Sequence, residues 1–291
     1  MKLVIAGSPA IAIPSIQRLR DKHSIVIVTQ PDAFAGRSKK LKPTPIAEHF
    51  PDALKPETER ELIKILESQD LLITIGYGRI LSKSALQTPR YGAINLHFSL
   101  LPKWRGAAPV QRCIEAGDSV SGVTVFQMDE GLDTGDIWTQ EPIEIPSDIY
   151  AEQLFDQLAI IGSAKIEEAI NMIESAQAPV PQKGTPTYAR KVDKSECRLD
   201  WSRPADQICR KVQAFSFNPG ITTTIRDETI RIDKVMITSN KLESGHLNSE
   251  GLVGTGTTAI QLLEVTPSGK RRMSAKDWLN GFRVTGADVF K

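Results

Sequence analysis

The sequence predicts a two-domain α/β protein, in which a Rossmann-like parallel-sheet domain is followed by a small OB-like β-barrel domain. Over the first 175 residues, apolar strand patterns alternate with helical patterns, which is typical of a parallel sheet covered on both faces. After residue 205 the chain becomes rich in short strands and turns, which favours a small barrel. The stretch 176–205 is rich in proline and charged residues and is predicted to be a linker. We therefore place the two domains at residues 1–175 and 206–291.

The predicted elements of the first domain alternate between strand and helix. Continuous apolar runs mark most of the strands, and apolar residues at helical spacing mark the helices. The predicted strands are 2–6, 24–29, 71–75, 93–97, 122–128 and 136–140. The predicted helices are one that ends at Arg20 and three at 58–68, 107–116 and 150–175. Since only Gly7 follows the first strand, the G-x-G-x-x-G fingerprint is absent and no nicotinamide cofactor is expected.

The second domain is predicted to be mainly strands. A short helix near 205–215 comes first, and the predicted strands are 221–226, 229–236, 251–256 and 258–265. We expect the barrel to close near Trp278, whose ring belongs to the core rather than to a platform for nucleic-acid bases.

Composition narrows the class of protein. The formal net charge of +1 gives no overall basic field, so any affinity for RNA has to come from local patches. The odd number of cysteines, three, far apart in the chain, predicts reduced thiols and a cytoplasmic location. The apolar run at the start of the sequence is too short for a signal peptide, and no apolar run approaches the roughly 18 residues of a membrane span. The four scattered histidines predict no metal site.

Asn95 and His97 stand two residues apart at the end of a predicted strand. If the strand continues through them, both side chains lie on the same face. Ser99-Leu100-Leu101-Pro102 follows, and Pro102 cannot continue a central strand. Open α/β sheets place ligand chemistry at such strand ends. On their own, these two residues fit a hydrogen-bonded strand end as well as a reaction site.

Asp133 lies in a glycine-flanked turn, GLDTGD at 131–136. Glycines let the backbone bend closely around a ligand, but Asp-Thr-Gly is also ordinary turn chemistry. Considered alone, Asp133 is therefore better explained as a turn residue. Of its acidic neighbours, Asp129 is expected to support the loop and Asp136 to begin the next strand.

The connection from Pro31 to Pro45 is long, since β–α connections usually have about 2–6 residues. Its only acid is Asp32, and its basic residues are Arg37, Lys39, Lys40 and Lys42. Charge alone fits a solvated surface loop. The length and the position beside the carboxyl edge of the sheet favour a loop that becomes ordered on RNA.

Two motifs, INLHFSLLPKWRGAAPVQR at 94–112 and GLDTGD at 131–136, resemble those of the 10-formyltetrahydrofolate-dependent formyltransferases. Three further segments narrow the resemblance to the methionyl-tRNA formyltransferase family: GSP at 7–9, TQPDAFAGRSKKLKPTP at 29–45 and GKRRMSAKDWLNG at 269–281. The resemblance covers nearly the whole chain in the same order.

The resemblance implies that Asn95, His97 and Asp133 form a catalytic trio. The reaction would transfer the formyl group of 10-formyltetrahydrofolate to the α-amino group of methionyl initiator tRNA. It would pass through a tetrahedral intermediate, without a covalent enzyme intermediate. The side chains suit these tasks: the Asn95 amide can donate to an oxyanion, and His97 can move a proton near neutral pH. Asp133 can orient the imidazole or relay the proton.

The same resemblance implies two binding surfaces. The folate surface comprises Ser99, Leu100, Leu101, Pro102, Tyr77, Ile80 and Leu81. The tRNA surface comprises Arg37, Lys39, Lys40, Lys42, Lys270, Arg271 and Arg272, of which Arg37 would read the acceptor end and the lysines would contact phosphate. Two positions depart from the family pattern. Phe98 stands where glycine is common, and 217–220 reads Phe-Asn-Pro-Gly where Pro-Trp-Pro-Gly is frequent. The second departure weakens the expectation of a tRNA contact at that turn.

Two other functions fit parts of the sequence. A formyltransferase acting on a small amine, such as a sugar nucleotide or glycinamide ribonucleotide, needs neither the basic loop nor the barrel. A tRNA-binding module without activity does not need an intact Asn95, His97 and Asp133. We therefore expect initiator methionyl-tRNA and 10-formyltetrahydrofolate as partners, no membrane, no metal and a monomer.

Overall fold

The computed structural model describes residues 1–34 and 40–291, which divide into two compact units. The first unit comprises Met1–Pro109, Val120–Glu144 and Phe155–Ala189, and the second comprises Val110–Ser119, Ile145–Leu154 and Arg190–Lys291. The domain limits 1–175, 176–205 and 206–291 stay a prediction.

The predicted helices and strands are all present in the predicted order, and the described chain has three two-residue strands and three α-helices in addition. The strands are β1 Lys2–Gly7, β2 Ser24–Val28, β3 Ala33–Phe34, β4 Leu41–Lys42, β5 Leu71–Ile75, β6 Ala93–His97, β7 Val120–Gln127, β8 Ile137–Glu144, β9 Ile221–Ile225, β10 Glu228–Ile237, β11 Leu252–Val253, β12 Ile260–Pro267 and β13 Met273–Ser274. The helices are α1 Ile13–Leu19, α2 Pro45–His49, α3 Glu59–Leu66, α4 Lys83–Gln87, α5 Pro109–Ala116, α6 Ala151–Glu174, α7 Ala205–Phe215 and α8 Ala275–Phe282. None of the helices in the described parts of the chain is both long and apolar enough to cross a membrane.

The first unit contains a six-stranded mixed sheet in the order β2-β1-β5-β6-β7-β8. β2, β1, β5 and β6 are parallel, as predicted, whereas β7 is antiparallel to both β6 and β8. The predicted parallel sheet thus comprises four strands, and β7 and β8 extend it at one edge as antiparallel strands. Residues 128–136 alone join β7 to β8, and this loop contains no helix, so a parallel crossover cannot form there.

The core of this sheet explains why its strands are continuous apolar runs. All five residues of β5 are buried, and in β6 only Asn95 is partly exposed. Helix α3 packs Leu62 and Leu66 inward, and Thr58 caps its N-terminus by accepting a hydrogen bond from the Glu61 N–H. The sheet therefore holds the carboxyl end of β6 between two buried neighbours.

The second unit contains an antiparallel half-barrel in the order β11-β12-β10-β9, with β13 paired to β12. This confirms the predicted fold class. Helix α8 was not predicted as a helix. Its Trp278 is buried and packs against Phe282 and Phe290, as expected for a core residue.

Candidate active site

β6 presents Asn95 and His97 on one face at its carboxyl end, as their spacing predicts. Asn95 lies opposite Thr74 of β5 and Phe126 of β7, and His97 lies opposite Thr124. His97 is buried, with 5% of its surface exposed. The pair therefore sits on a central strand whose position is fixed from both sides.

The buried Thr74 fixes the orientation of the Asn95 carboxamide. Its hydroxyl donates a hydrogen bond to Asn95 Oδ1 over 2.8 Å, and its Oγ1 also lies 3.2 Å from the sulfur of Met128. Because the Asn95 oxygen is engaged, the amide N–H groups are the end of the side chain that remains for another acceptor.

His97 has a fixed tautomer because its Nε2 lies 2.8 Å from the carbonyl oxygen of Trp104. A carbonyl can only accept, so Nε2 carries the hydrogen and Nδ1 of the neutral ring holds the lone pair. Burial lowers the pKa of His97, while the nearby Asp133 carboxylate and the Trp104 carbonyl act in the opposite direction. The ring is therefore neutral near pH 7, with a basic nitrogen available.

Asp133 is brought next to His97 by residues 128–136, which we call the Asp133 loop. Its Oδ2 lies 3.7 Å from His97 Nδ1 and accepts a hydrogen bond from the Gly106 N–H over 2.7 Å. The backbone of Asp133 has φ +52°, a left-handed conformation that is uncommon for a residue other than glycine. Asp129 accepts hydrogen bonds from the Gly131 N–H and the Thr134 hydroxyl and so braces the loop, as expected.

The segment predicted to bind folate begins the loop after β6, residues 98–108, which we call the SLLP loop. Thr124 Oγ1 donates to the Ser99 carbonyl over 2.6 Å and accepts from the Leu101 N–H over 3.1 Å. Ser99 and Leu101 are buried, whereas Leu100 and Pro102 are partly exposed. Backbone groups of this segment are thus fixed by β7, and Leu100 and Pro102 keep accessible surface.

The other three residues predicted to bind folate are placed differently from one another. Tyr77 and Leu81 are buried in the core cluster of the first unit, and Ile80 is fully exposed. The carbonyl of Tyr77 accepts a hydrogen bond from the Gln30 side chain over 2.8 Å. Of the three, Ile80 alone offers its whole side chain to a ligand.

The residues predicted to bind tRNA are distributed over both units. Arg37 and Lys39 lie outside the described residues. On either side of them, β3 and β4 pair as antiparallel strands, and Lys40 and Lys42 are exposed. Lys270, Arg271 and Arg272 are exposed in the second unit, where Arg272 forms an ion pair with Glu264.

Sequence reasoning missed the groups that orient the trio. Thr74 is the only polar residue in the apolar run LLITI, and that exception could have identified it. The Trp104 carbonyl and the Gly106 N–H are backbone groups, which residue type does not reveal. Within residues 1–34 and 40–291, no group of three or more His, Cys, Asp or Glu side chains is arranged to hold a metal ion.

Comparison with known families gives matches over both parts of the chain. The model of the formyl transferase family matches residues 1–170, and that of the formyl transferase C-terminal domain matches residues 191–283. The methionyl-tRNA formyltransferase of Arthrobacter sp. (strain FB24) is 35% identical over 306 residues, which cover 100% of both chains. Other curated relatives with the same name are 34–37% identical.

Two solved structures share the fold. HypX from Aquifex aeolicus in complex with tetrahydrofolic acid has a TM-score of 0.71 and 15% identity, covering 97% of this chain and 47% of that chain. Methionyl-tRNA formyltransferase from Clostridium thermocellum has a TM-score of 0.62 and 16% identity, covering 83% of this chain and 95% of that chain. The present chain thus spans about half the length of the HypX structure.

Proposed function

The chain belongs to the formyl transferase family, with the methionyl-tRNA formyltransferases as its curated relatives, and we propose on this premise that Asn95, His97 and Asp133 carry out its reaction. It is an enzyme that transfers a formyl group to methionyl-tRNA. The observation that carries the assignment of the site is the geometry of His97, whose bare Nδ1 faces the Asp133 carboxylate at 3.7 Å. The proposed donor is 10-formyltetrahydrofolate and the proposed acceptor is the initiator tRNA.

His97 accepts the proton that the attacking amine loses. An α-amino group has a pKa of about 7.7–8.0, so much of it is neutral at working pH and able to attack. As the new nitrogen–carbon bond forms, the proton passes to His97 Nδ1, the nitrogen left without a hydrogen by the bond to Trp104. Burial favours the neutral ring in the resting enzyme.

Asn95 stabilises the negative charge that develops on the formyl oxygen. Its amide N–H groups are available because its oxygen accepts from Thr74. A neutral donor preorganised in this way typically contributes about 100–1,000-fold in rate.

Asp133 stabilises the imidazolium that forms on His97. Its carboxylate is fixed by the Gly106 N–H, so it does not have to move when the charge appears. The proton then passes from His97 to the leaving nitrogen of the folate as the old carbon–nitrogen bond breaks. The formyl group is thus transferred directly, and no covalent bond to the enzyme is needed.

The proposed folate surface combines the SLLP loop with Ile80. The partly exposed Leu100 and Pro102 and the fully exposed Ile80 supply apolar area, and ligand sites are usually lined in this way. The binding of tetrahydrofolic acid by HypX, which shares the fold, is consistent with a folate donor. Buried Tyr77 contributes through its backbone rather than its ring.

The proposed tRNA surface comprises the basic loop around Arg37 and the cluster at 270–272. Arg37 suits planar, bidentate contacts at the acceptor end, and exposed lysines suit phosphate. The cluster at 270–272 would position the tRNA without reading its sequence. The cytoplasmic location expected from reduced thiols belongs to the same proposal.

A formyl-transfer assay with four acceptors tests the proposed acceptor. Charged initiator tRNA, charged elongator tRNA, free methionine and an amino-sugar nucleotide are each incubated with enzyme and 10-formyltetrahydrofolate. We expect transfer to methionyl initiator tRNA at the highest kcat/KM. Preferential transfer to the amino-sugar nucleotide would contradict the proposal.

A further inference from the structure

Residues 180–189, which we call the return segment, are hydrogen-bonded to the SLLP loop. Thr187 Oγ1 accepts from the Trp104 N–H over 2.9 Å, and the Thr187 carbonyl accepts from the Arg105 N–H over 2.8 Å. The Ala189 N–H donates in turn to the Arg105 carbonyl over 2.7 Å. The return segment therefore fixes the backbone whose carbonyl receives the hydrogen of His97 Nε2.

The same segment is hydrogen-bonded to the Asp133 loop and the strand after it. Gln182 Nε2 donates to the carbonyl oxygens of Asp133 and Gly135, each over 2.8 Å. Nearby, Val180 and Ile137 exchange two backbone hydrogen bonds of 2.7 and 2.9 Å. One side chain of the return segment thus holds the Asp133 loop on both sides of its turn.

Arg105 fixes the orientation of the Gln182 carboxamide. Its Nη2 and Nε donate to Gln182 Oε1 over 2.6 and 3.2 Å. Because a guanidinium can only donate, the amide oxygen must face Arg105 and the amide N–H groups must face the Asp133 loop. Gln182 therefore links the SLLP loop to the Asp133 loop through a single, oriented amide.

Asp133 depends on such a link more than an ordinary loop residue does. Its left-handed φ of +52° is disfavoured for a side chain with a Cβ and persists only where neighbouring groups impose it. The Gln182 amide acts on its carbonyl and the Gly106 N–H on its carboxylate. Together these contacts fix both ends of the residue.

We propose that Gln182 is a positioning residue for formyl transfer, which holds the Asp133 carboxylate beside His97 and does not itself touch the reacting atoms. The inference rests on the proposed roles of His97 and Asp133. It also assigns a part in the reaction to the stretch 176–205, whose composition indicated only a linker.

The effect of Gln182 can be measured on His97 itself. Among the described residues, the groups next to the imidazole include the Asp133 carboxylate, the Trp104 carbonyl and the edge-on ring of Phe126. Within the described residues, Asp133 is the one charged group that raises the pKa of His97 against the effect of burial. Moving its carboxylate away therefore lowers the pKa of His97 further.

The test compares Gln182→Ala and Gln182→Glu with the wild type. The first variant removes the whole amide, and the second keeps an acceptor for Arg105 but offers no N–H to the two carbonyls. For both we expect kcat to fall about 10–100-fold, with the KM values for methionyl-tRNA and 10-formyltetrahydrofolate within about twofold of the wild type. In an NMR titration, the pKa of His97 should be lower in Gln182→Ala than in the wild type, because the Asp133 carboxylate is no longer held beside the ring. Thermal unfolding shows whether each variant is folded, and the test needs only one of the two variants to fold.

Gln177→Ala is the matched control, because Gln177 is an exposed glutamine shortly before the return segment. It should match the wild type in kcat and in the pKa of His97. An unchanged pKa of His97 in folded Gln182→Ala, or wild-type kcat in Gln182→Glu, would overturn the inference. If His97→Asn kept the wild-type rate, the proposed role of His97 in the reaction would fail instead. The titration of His97 in Gln182→Ala would still show whether Gln182 positions the Asp133 carboxylate.

Discussion

At the scale of single residues, the Thr74 hydroxyl determines which end of the Asn95 carboxamide can reach a substrate. The two side chains lie opposite each other on adjacent parallel strands, and the hydroxyl donates to the amide oxygen. In the proposed mechanism, loss of this bond would let the amide rotate and present its oxygen to the developing oxyanion, where it would repel rather than stabilise charge.

We predict that Thr74→Val lowers kcat by about tenfold, the equivalent of one net hydrogen bond. The two side chains have similar volumes, so the packing of β5 against β6 is kept. Thr74→Ser retains the hydroxyl and should keep most of the activity. Equal rates for the two variants, measured at saturating substrates, would show that Thr74 does not orient Asn95.

His97 makes stability depend on pH in a defined direction. Its pKa in the folded protein is lowered, mainly by burial, from the ordinary value of 6.5. Below pH 6.5 the unfolded chain therefore binds more protons than the folded one, and the free energy of unfolding decreases as the pH falls towards the pKa of folded His97. Above pH 6.5 both states are neutral at this position and the contribution is constant.

We predict that His97→Asn loses less stability than the wild type between about pH 7 and pH 5. Urea unfolding at both pH values measures this, and the difference between the two proteins isolates His97 from other groups. Parallel losses of stability in the two proteins would contradict the lowered pKa.

At the scale of elements, the Asp133 loop can close only because residue 135 is glycine. A Cβ at Gly135 would lie 1.7 Å from the carbonyl oxygen of Gln127, at the end of β7. The backbone at the end of β7 or at residue 135 would have to shift, and the loop that carries Asp133 would shift with it. The glycine thus links the geometry of the strand pair to that of the candidate site.

We predict that Gly135→Ala lowers the free energy of unfolding by about 1–3 kcal/mol, through steric overlap, and lowers kcat. Gly281→Ala is the control, because a Cβ there meets no atom within 4 Å in helix α8. Since alanine is the better helix former, that variant should be as stable as the wild type or more stable, by up to about 1 kcal/mol. Urea unfolding and steady-state kinetics give both quantities, and a Gly135→Ala protein as stable and active as the wild type would refute the steric argument.

The helices and strands also differ in whether the sequence alone could predict them. Apolar runs and residue spacing are local signals in the sequence. From them, the strand β5 and the placement of Asn95 and His97 at the end of one strand were predicted correctly. α2, α4 and α8 were missed; α2 and α4 have only five residues each, whereas α8 is as long as the predicted α3. Their N-cap side chains, Thr44, Ser82 and Ser274, were the available signals.

The direction of β7 and the groups that orient the trio could not be predicted in the same way. They depend on contacts between remote segments, such as Gln182 with the Asp133 loop and the Trp104 carbonyl with His97. Neither contact leaves a periodic pattern in the sequence.

At the scale of the whole molecule, the acceptor is large and the basic side chains proposed to meet it lie in both compact units. Arg37 belongs to the first part of the chain, and the cluster at 270–272 belongs to the second unit. Affinity for the phosphate backbone and selection of one tRNA are separate tasks, and lysine and arginine suit them differently.

We predict that Arg37→Ala reduces the preference for charged initiator over charged elongator tRNA. Lys42→Ala is the matched control, because it removes one exposed positive charge from the same loop. This variant should weaken the binding of both tRNAs about equally and make that binding less dependent on salt. The ratio of the two kcat/KM values at several salt concentrations measures the effect, and an unaltered ratio for Arg37→Ala would contradict the role of this loop in selection.

The central claim is that His97 moves the proton during direct formyl transfer, and the single-turnover rate tests it most directly. With excess enzyme, 10-formyltetrahydrofolate and methionyl initiator tRNA are mixed, and formylmethionyl-tRNA is followed for the wild type and His97→Asn. Loss of a proton-transfer group should lower the rate about 100–10,000-fold, while thermal unfolding shows that the variant is folded. A His97→Asn rate within about tenfold of the wild type, below the range expected for such a group, would contradict the account.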